Sequence, residues 1–156
     1  MDLVLWRHAE AEEAAPSGDD RARELTAKGR KHAQRMGQWL DICLPANARV
    51  WASPAARTVQ TADALGRKYR LREVLGTESS ADAVLSAVNW PQEGGTMLLV
   101  GHQPVLGELA ARLLGVQAPG CAIRKGTVWW LRHRVRDGEP QTVLVTVQTP
   151  DLLLRP

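Results

Sequence analysis

A chain of 156 residues with 20 Lys and Arg against 17 Asp and Glu carries a formal charge of only +3, and its length suits one domain over residues 1–156 with a single core. The basic excess forms no long run, which argues against nucleic-acid binding: Lys28-Gly29-Arg30-Lys31 and Arg132-His133-Arg134 read as a solvated helix face and a solvated strand. Cys43 and Cys121 lack metal-ligand spacing and read as small apolar residues near the core, no apolar run is long enough to span a bilayer, and Asp2 ahead of the short run Leu3-Val4-Leu5-Trp6 does not suit an export signal, so the expectation is a cytoplasmic protein with no membrane partner, no metal and no cofactor.

Residues 2–6 read as a short buried strand, and residues 10–24 as a long surface loop with room for a turn of helix. Thr26 looks like an N-cap, with Ala33, Met36, Gly37, Leu40, Cys43 and Leu44 following at helical spacing until Pro45. Residues 48–52 read as a second strand. Ser53-Pro54 then resembles a serine cap with proline at the first helical position, starting a helix to about Arg67. A third strand is expected at 71–75 and a short helix at 81–89. Met97-Leu98-Leu99-Val100 is a continuous apolar run and predicts a strand over 96–100; a helix follows from Pro104 to Gly115. Two strands, 127–134 and 141–148, flank Asp137-Gly138 and suggest an antiparallel hairpin.

Strands alternating with helices predict an α/β three-layer sandwich: a mainly parallel central sheet flanked by helices, with an antiparallel C-terminal edge hairpin. The chain has six tryptophans and no phenylalanine, so tryptophan is expected to fill core volume. Trp129 and Trp130 must point to opposite faces of their strand, which leaves one of them exposed.

Ligands of open α/β sheets sit beyond the carboxyl ends of the strands. The first strand ends in Arg7-His8-Ala9-Glu10. The second ends in Ser53-Pro54 with Arg57 one turn on, and the apolar run ends in Gly101-His102-Gln103-Pro104. Arginine offers paired donors to the oxygens of a phosphoryl group. Histidine attacks phosphorus when neutral and donates to oxygen when protonated. Without a carboxylate cluster to hold magnesium, these side chains must neutralise the charge themselves. His32 and His133 lack such placement and read as surface residues.

Arg7-His8-x-Glu10, Leu25-Thr26-x-x-Gly29, Ser53-Pro54-x-x-Arg57-x-x-x-Thr61-Ala62 and Gly101-His102-x-Pro104 together resemble the histidine phosphatase superfamily, also called phosphoglycerate mutase-like. Chain length and spacing resemble its SixA-type phosphohistidine phosphatases, which act in signal transduction. The resemblance implies that His8 is transiently phosphorylated and that Arg7, Arg57 and His102 bind phosphoryl oxygens. It also implies an arginine just before the Leu-Thr motif; Arg23 is the candidate and Arg21 a poorer one. The family's usual glycine after the histidine is replaced by Ala9, whose methyl bars easy access to positive φ.

The resulting expectation is a phosphohistidine phosphatase acting, as a monomer, on a phosphohistidine-bearing protein domain. The alternatives are a phosphatase of a small phosphate ester or nucleotide, and a non-catalytic phosphate-binding module. Alcohol leaving groups need a proton donor. Between Tyr69 and Thr96 only Glu73, Glu78, Asp82 and Glu93 offer a carboxylate, and Glu78 is the best candidate acid, with a helix N-terminal carboxylate as its other reading. An imidazole, whose conjugate acid has a pKa of about 6.5, is easier to expel than an alkoxide, so a weak acid signal favours phosphohistidine.

Overall fold

The computed structural model describes residues 1–153. A six-stranded sheet is built from β1 (Asp2–Arg7), β2 (Arg49–Ala52), β3 (Arg70–Leu71), β4 (Thr96–Gly101), β5 (Val128–Arg136) and β6 (Glu139–Gln148) in the order β3-β2-β4-β1-β5-β6. The first four are parallel to one another, while β5 pairs antiparallel with β1 and β6 antiparallel with β5. This is the expected α/β architecture with its antiparallel edge hairpin. The turn Asp137-Gly138 has positive φ at both positions, 52° and 77°, as a two-residue hairpin loop that follows strand twist requires. β6 is an edge strand, and its Leu144, Val145 and Val147 are exposed.

All six residues of β4 are buried, because a central parallel strand is covered on both faces. Alternation then divides the core. Leu3, Leu5, Met97 and Leu99 pack with Val84, Val88, Leu106 and Leu109 of α3 (Ala81–Val88) and α4 (Val105–Leu114). Val4, Trp6, Leu98 and Val100 pack with Met36, Leu40 and Ala62 of α1 (Ala27–Cys43) and α2 (Ala56–Asp63). Thr26 caps α1 by accepting from the Gly29 N–H at 3.0 Å. Gly37 lets α1 approach the end of α2 so closely that a Cβ there would collide with the Ala64 backbone.

Several local expectations are corrected. The second helix begins at Ala56 rather than Pro54, has no side-chain cap, and stops at Asp63 rather than Arg67. The Ser53 hydroxyl is engaged elsewhere, with His102, and the Thr58 hydroxyl donates to the Ser53 and Ala55 carbonyls. The third strand is only Arg70–Leu71, because just two residues pair with β2; Glu73–Leu75 forms a 3-10 turn that buries Leu75. Neither tryptophan of the β5 pair is exposed: Trp129 packs half-buried on the α3–α4 side, while Trp130 is buried on the other face and donates its indole N–H to Asp2 at 2.9 Å. His32 and His133 are half-buried rather than superficial; His133 lies edge-on to Trp90. Cys43 is exposed rather than near the core, and Cys121 packs half-buried against it. Among the described residues no helix is long and apolar enough to cross a membrane.

Candidate active site

The sheet register brings the predicted residues together. Arg7 of β1 stands opposite Gly101 of β4, and Ala52 of β2 opposite Val100. The ladder continues one residue further, with the His8 N–H donating to the Gly101 carbonyl at 3.1 Å and the Ser53 N–H to the Val100 carbonyl at 3.0 Å. His8, Ser53 and His102 therefore emerge side by side at the carboxyl edge of three adjacent strands. One cavity of about 380 Å³ is walled by Arg7, His8, Arg23, Arg57 and His102, with Asp20 and Lys125 at its margins.

His8 is only 6% exposed. Its Nδ1 lies 2.7 Å from the Ala9 carbonyl oxygen. A carbonyl only accepts, so Nδ1 carries the proton and Nε2 keeps its lone pair. Burial pushes the His8 pKa down to about 3; the Ala9 contact opposes this, and the charges of His102, Arg57 and Arg7 add to it. The ring is neutral at pH 7. Ala9 itself is fully buried, donates its N–H to the Thr61 hydroxyl at 3.1 Å, and is not among the residues with positive φ. Alanine in place of the family's glycine thus carries no backbone strain.

The His102 ring centroid is 5.4 Å from that of His8. Its Nε2 lies 2.8 Å from the Ser53 hydroxyl, and its buried Nδ1 has no partner among the described residues. Burial first, then the Arg57 charge, lowers its pKa to about 4. Arg7 donates to the Ile123 carbonyl at 2.8 Å, and its Nε, like that of Arg57, is buried with no partner among the described residues. Buried polar groups are normally satisfied; three unpartnered nitrogens around one cavity suit it to an oxygen-rich anion.

Sequence reasoning missed Asp20. A 3-10 turn (Asp20–Ala22) folds over the site, capped by the Asp19 side chain. Arg57 donates to the Asp20 carbonyl at 2.8 Å and to its carboxylate at 3.1 Å, and the Arg23 Nε donates to the same carboxylate at 2.9 Å. Despite some desolvation, Arg57 and Arg23 hold the Asp20 carboxyl below the usual range. The Ser17-Gly18-Asp19-Asp20 run is a turn-and-cap signature, and the spacing of three between Asp20 and Arg23 is the only other signal.

Arg23 thus joins the cavity, whereas Arg21 swings away to pair with Glu73 at 3.2 Å. Glu78 lines an adjoining cavity of about 320 Å³ with Ser53, Arg57 and His102. It lies before the Ser80 cap, and Asp82 instead takes the first turn of α3, so Glu78 is not a helix N-terminal carboxylate. Glu73, Asp82 and Glu93 are paired with Arg21, Arg112 and Arg49. Among the described residues no group of three or more His, Cys, Asp or Glu is arranged to hold a metal ion.

A buried neutral imidazole among guanidinium groups at the carboxyl edge of a parallel sheet defines a phosphoryl-handling α/β enzyme, a hydrolytic phosphatase. The sequence pattern of the histidine phosphatase superfamily (branch 1) matches residues 3–79. A phosphohistidine phosphatase SixA homolog from Haemophilus influenzae is 28% identical over 170 residues, covering 99% of this chain and all of that protein. A solved structure assigned as phosphohistidine phosphatase SixA from Nakamurella multipartitia is 31% identical, with a TM-score of 0.76 and coverage of 96% and 95%. The fold is also that of a protein histidine phosphatase SixA complexed with tungstate, at 22% identity and a TM-score of 0.80 over 97% and 98% of the two chains. The chain belongs to the histidine phosphatase superfamily, and within it to the SixA type.

Proposed function

We propose that this protein is a phosphohistidine phosphatase that works through a phosphorylated His8. The observation that carries the reading is the His8 ring itself: neutral, fixed at Nδ1 by the Ala9 carbonyl, and facing Arg7, Arg23, Arg57 and His102 across one cavity. The His8 Nε2 lone pair attacks phosphorus, and the bond from phosphorus to the substrate nitrogen breaks. A substrate ring protonated at its other nitrogen departs as neutral imidazole. Arg7, Arg57 and His102 stabilise the equatorial oxygens, with Arg23 as a further donor. Water then attacks phosphorus, phosphate leaves, and His8 returns to its neutral form.

Asp20 is an unsuitable acid, because two guanidinium groups stabilise its ionised form. A departing imidazole has no need of one. Relatives named SixA phosphohistidine phosphatases support the same substrate class. One observation favours a second reading, hydrolysis of a small phosphate ester: Glu78 lines the adjoining cavity that also reaches His102, and as an acid there it would protonate an alkoxide.

The test is a substrate panel with a His8→Ala control. Phosphohistidine peptide should be hydrolysed, an acid-labile phosphoryl group should appear on the wild-type protein, and both should vanish in His8→Ala with the fold intact. Rapid hydrolysis of several phosphomonoesters, with phosphohistidine untouched, refutes the first reading and supports the second.

A further inference from the structure

The cavity that holds His8 is flanked by two others, and their charges differ. The central one shares Asp20, Arg57, Thr77 and His102 with the cavity that holds Glu73 and Glu78. It shares Arg7 and Lys125 with a third cavity, of about 310 Å³, and the two outer cavities have no residue in common. The third is walled by the cations Arg7, Lys28, Arg124 and Lys125 against the carboxylates Glu10 and Asp151. Four cations thus face two carboxylates, a surplus of positive charge. Glu10 accepts from the Thr26 hydroxyl at 2.7 Å, and Asp151 lies 3.8 Å from both His32 and Arg124.

A buried hydroxyl adds an independent observation. Thr127 is 2% exposed, lines this cavity, and its Oγ1 has no hydrogen-bond partner among the described residues. A buried hydroxyl without a partner is unfavourable, because it has lost water and gained nothing in exchange. An oxygen acceptor bound in the cavity would satisfy it while meeting the surplus of cations.

We propose that this cavity is a specificity subsite for a carboxylate of the substrate. Given the phosphohistidine reading, on which this inference rests, that carboxylate belongs to an Asp or Glu near the phosphohistidine on the partner protein's surface. The cations Lys28, Arg124 and Lys125 attract it, and the Thr127 hydroxyl donates to it. Arg7 forms the wall between the subsite and the phosphoryl pocket, so the two anions of one substrate lie on either side of a single guanidinium. In the cavity beyond His102, Asp20 and Glu73 are paired with Arg57 and Arg21, and Glu78 is the surplus carboxylate; it opposes the reverse orientation, which gives the substrate a polarity across the site.

Two phosphohistidine peptides test this, one with Glu and one with Gln beside the phosphorylated residue. Each is turned over by the wild type, by the Lys28→Ala/Arg124→Ala double variant and by Thr127→Val. All three substitutions spare the phosphoryl pocket, and thermal melts confirm folding. The wild type should favour the Glu peptide about tenfold in kcat/KM, equivalent to ~1.4 kcal/mol, and added salt should reduce the preference. The preference should fall to about twofold in the double variant and weaken in Thr127→Val. It should be carried by KM, with the Gln peptide turned over at wild-type rates throughout. Equal turnover of both peptides by the wild type, or a preference undiminished in the double variant and in Thr127→Val, overturns the subsite alone. A third peptide carries phosphoserine at that position, and its faster turnover than the Glu peptide overturns the assignment to a carboxylate. Turnover of neither peptide by the wild type overturns the phosphohistidine reading, and the subsite with it.

Discussion

Replacing His8 by Gln removes a titratable ring whose native pKa is about 3, against about 6.5 for an unfolded histidine. Between those values the unfolded chain binds a proton that the native ring refuses. Native stability is therefore complete above pH 6.5 and falls as the pH drops toward 3, by about 1.4 kcal/mol per pH unit. From pH 7 to pH 4 the His8 contribution amounts to about 3 kcal/mol on that slope. His102, lowered to about 4, adds a similar loss over the same window in both proteins. Urea denaturation followed by tryptophan fluorescence at pH 7, 6, 5 and 4 should show the wild type losing stability more steeply than His8→Gln. The difference between the two should change by about 3 kcal/mol over that range. Any fixed cost of burying the glutamine amide is the same at every pH, so the slope alone is read. Parallel stability curves would refute the claim that burial keeps His8 neutral, and with it the protonation state that the proposed attack requires.

Arg57→Lys should keep a charge but lose the planar paired donors, lowering kcat/KM by about 10²-fold; steady-state kinetics with circular dichroism as the folding control check it. Asp20→Asn removes the internal anion that occupies Arg57 and Arg23. Inorganic phosphate and orthovanadate should then inhibit at lower concentrations, and weaker inhibition would show that Asp20 orients Arg57 rather than competing for it. Gly37→Ala forces a methyl against the Ala64 backbone and should destabilise the fold by about 1–3 kcal/mol, seen as a lowered melting temperature with little change in KM at the distant site.

The elements nearest the nucleophile were the most legible. β1 and β4 are apolar on both faces, a pattern that needs no tertiary information, and the residues at their ends are fixed by where the run stops. Ser53 was misread because Ser-Pro matches a helix start while its hydroxyl is 2.8 Å from His102; local patterns do not record which partner a hydroxyl meets. Asp20 escaped because a loop without periodicity hides which side chains fold inward, and only the bidentate approach of Arg57 reveals it. Arg23 was accessible through family likeness alone. The Trp129-Trp130 pair followed the alternation rule, yet both are covered because β5 lies between two strands and has a packed layer on each face.

The outer strand sets a solubility problem for the chain. From Thr142 to Gln148 β6 carries no charge, no proline and six β-branched or leucine side chains in succession, and among the described residues its outer ladder has no strand beside it. Such a segment is a template for adding strands from other molecules. Pro140 sits at its start, and in the hairpin register Arg132, Arg134 and Arg136 of β5 stand opposite Val143, Gln141 and Glu139. Arg132 is paired with Asp2, which leaves Arg134, Arg136 and the proline as gatekeepers: like charges oppose stacking of one hairpin on another, a role for the basic strand outside phosphate chemistry.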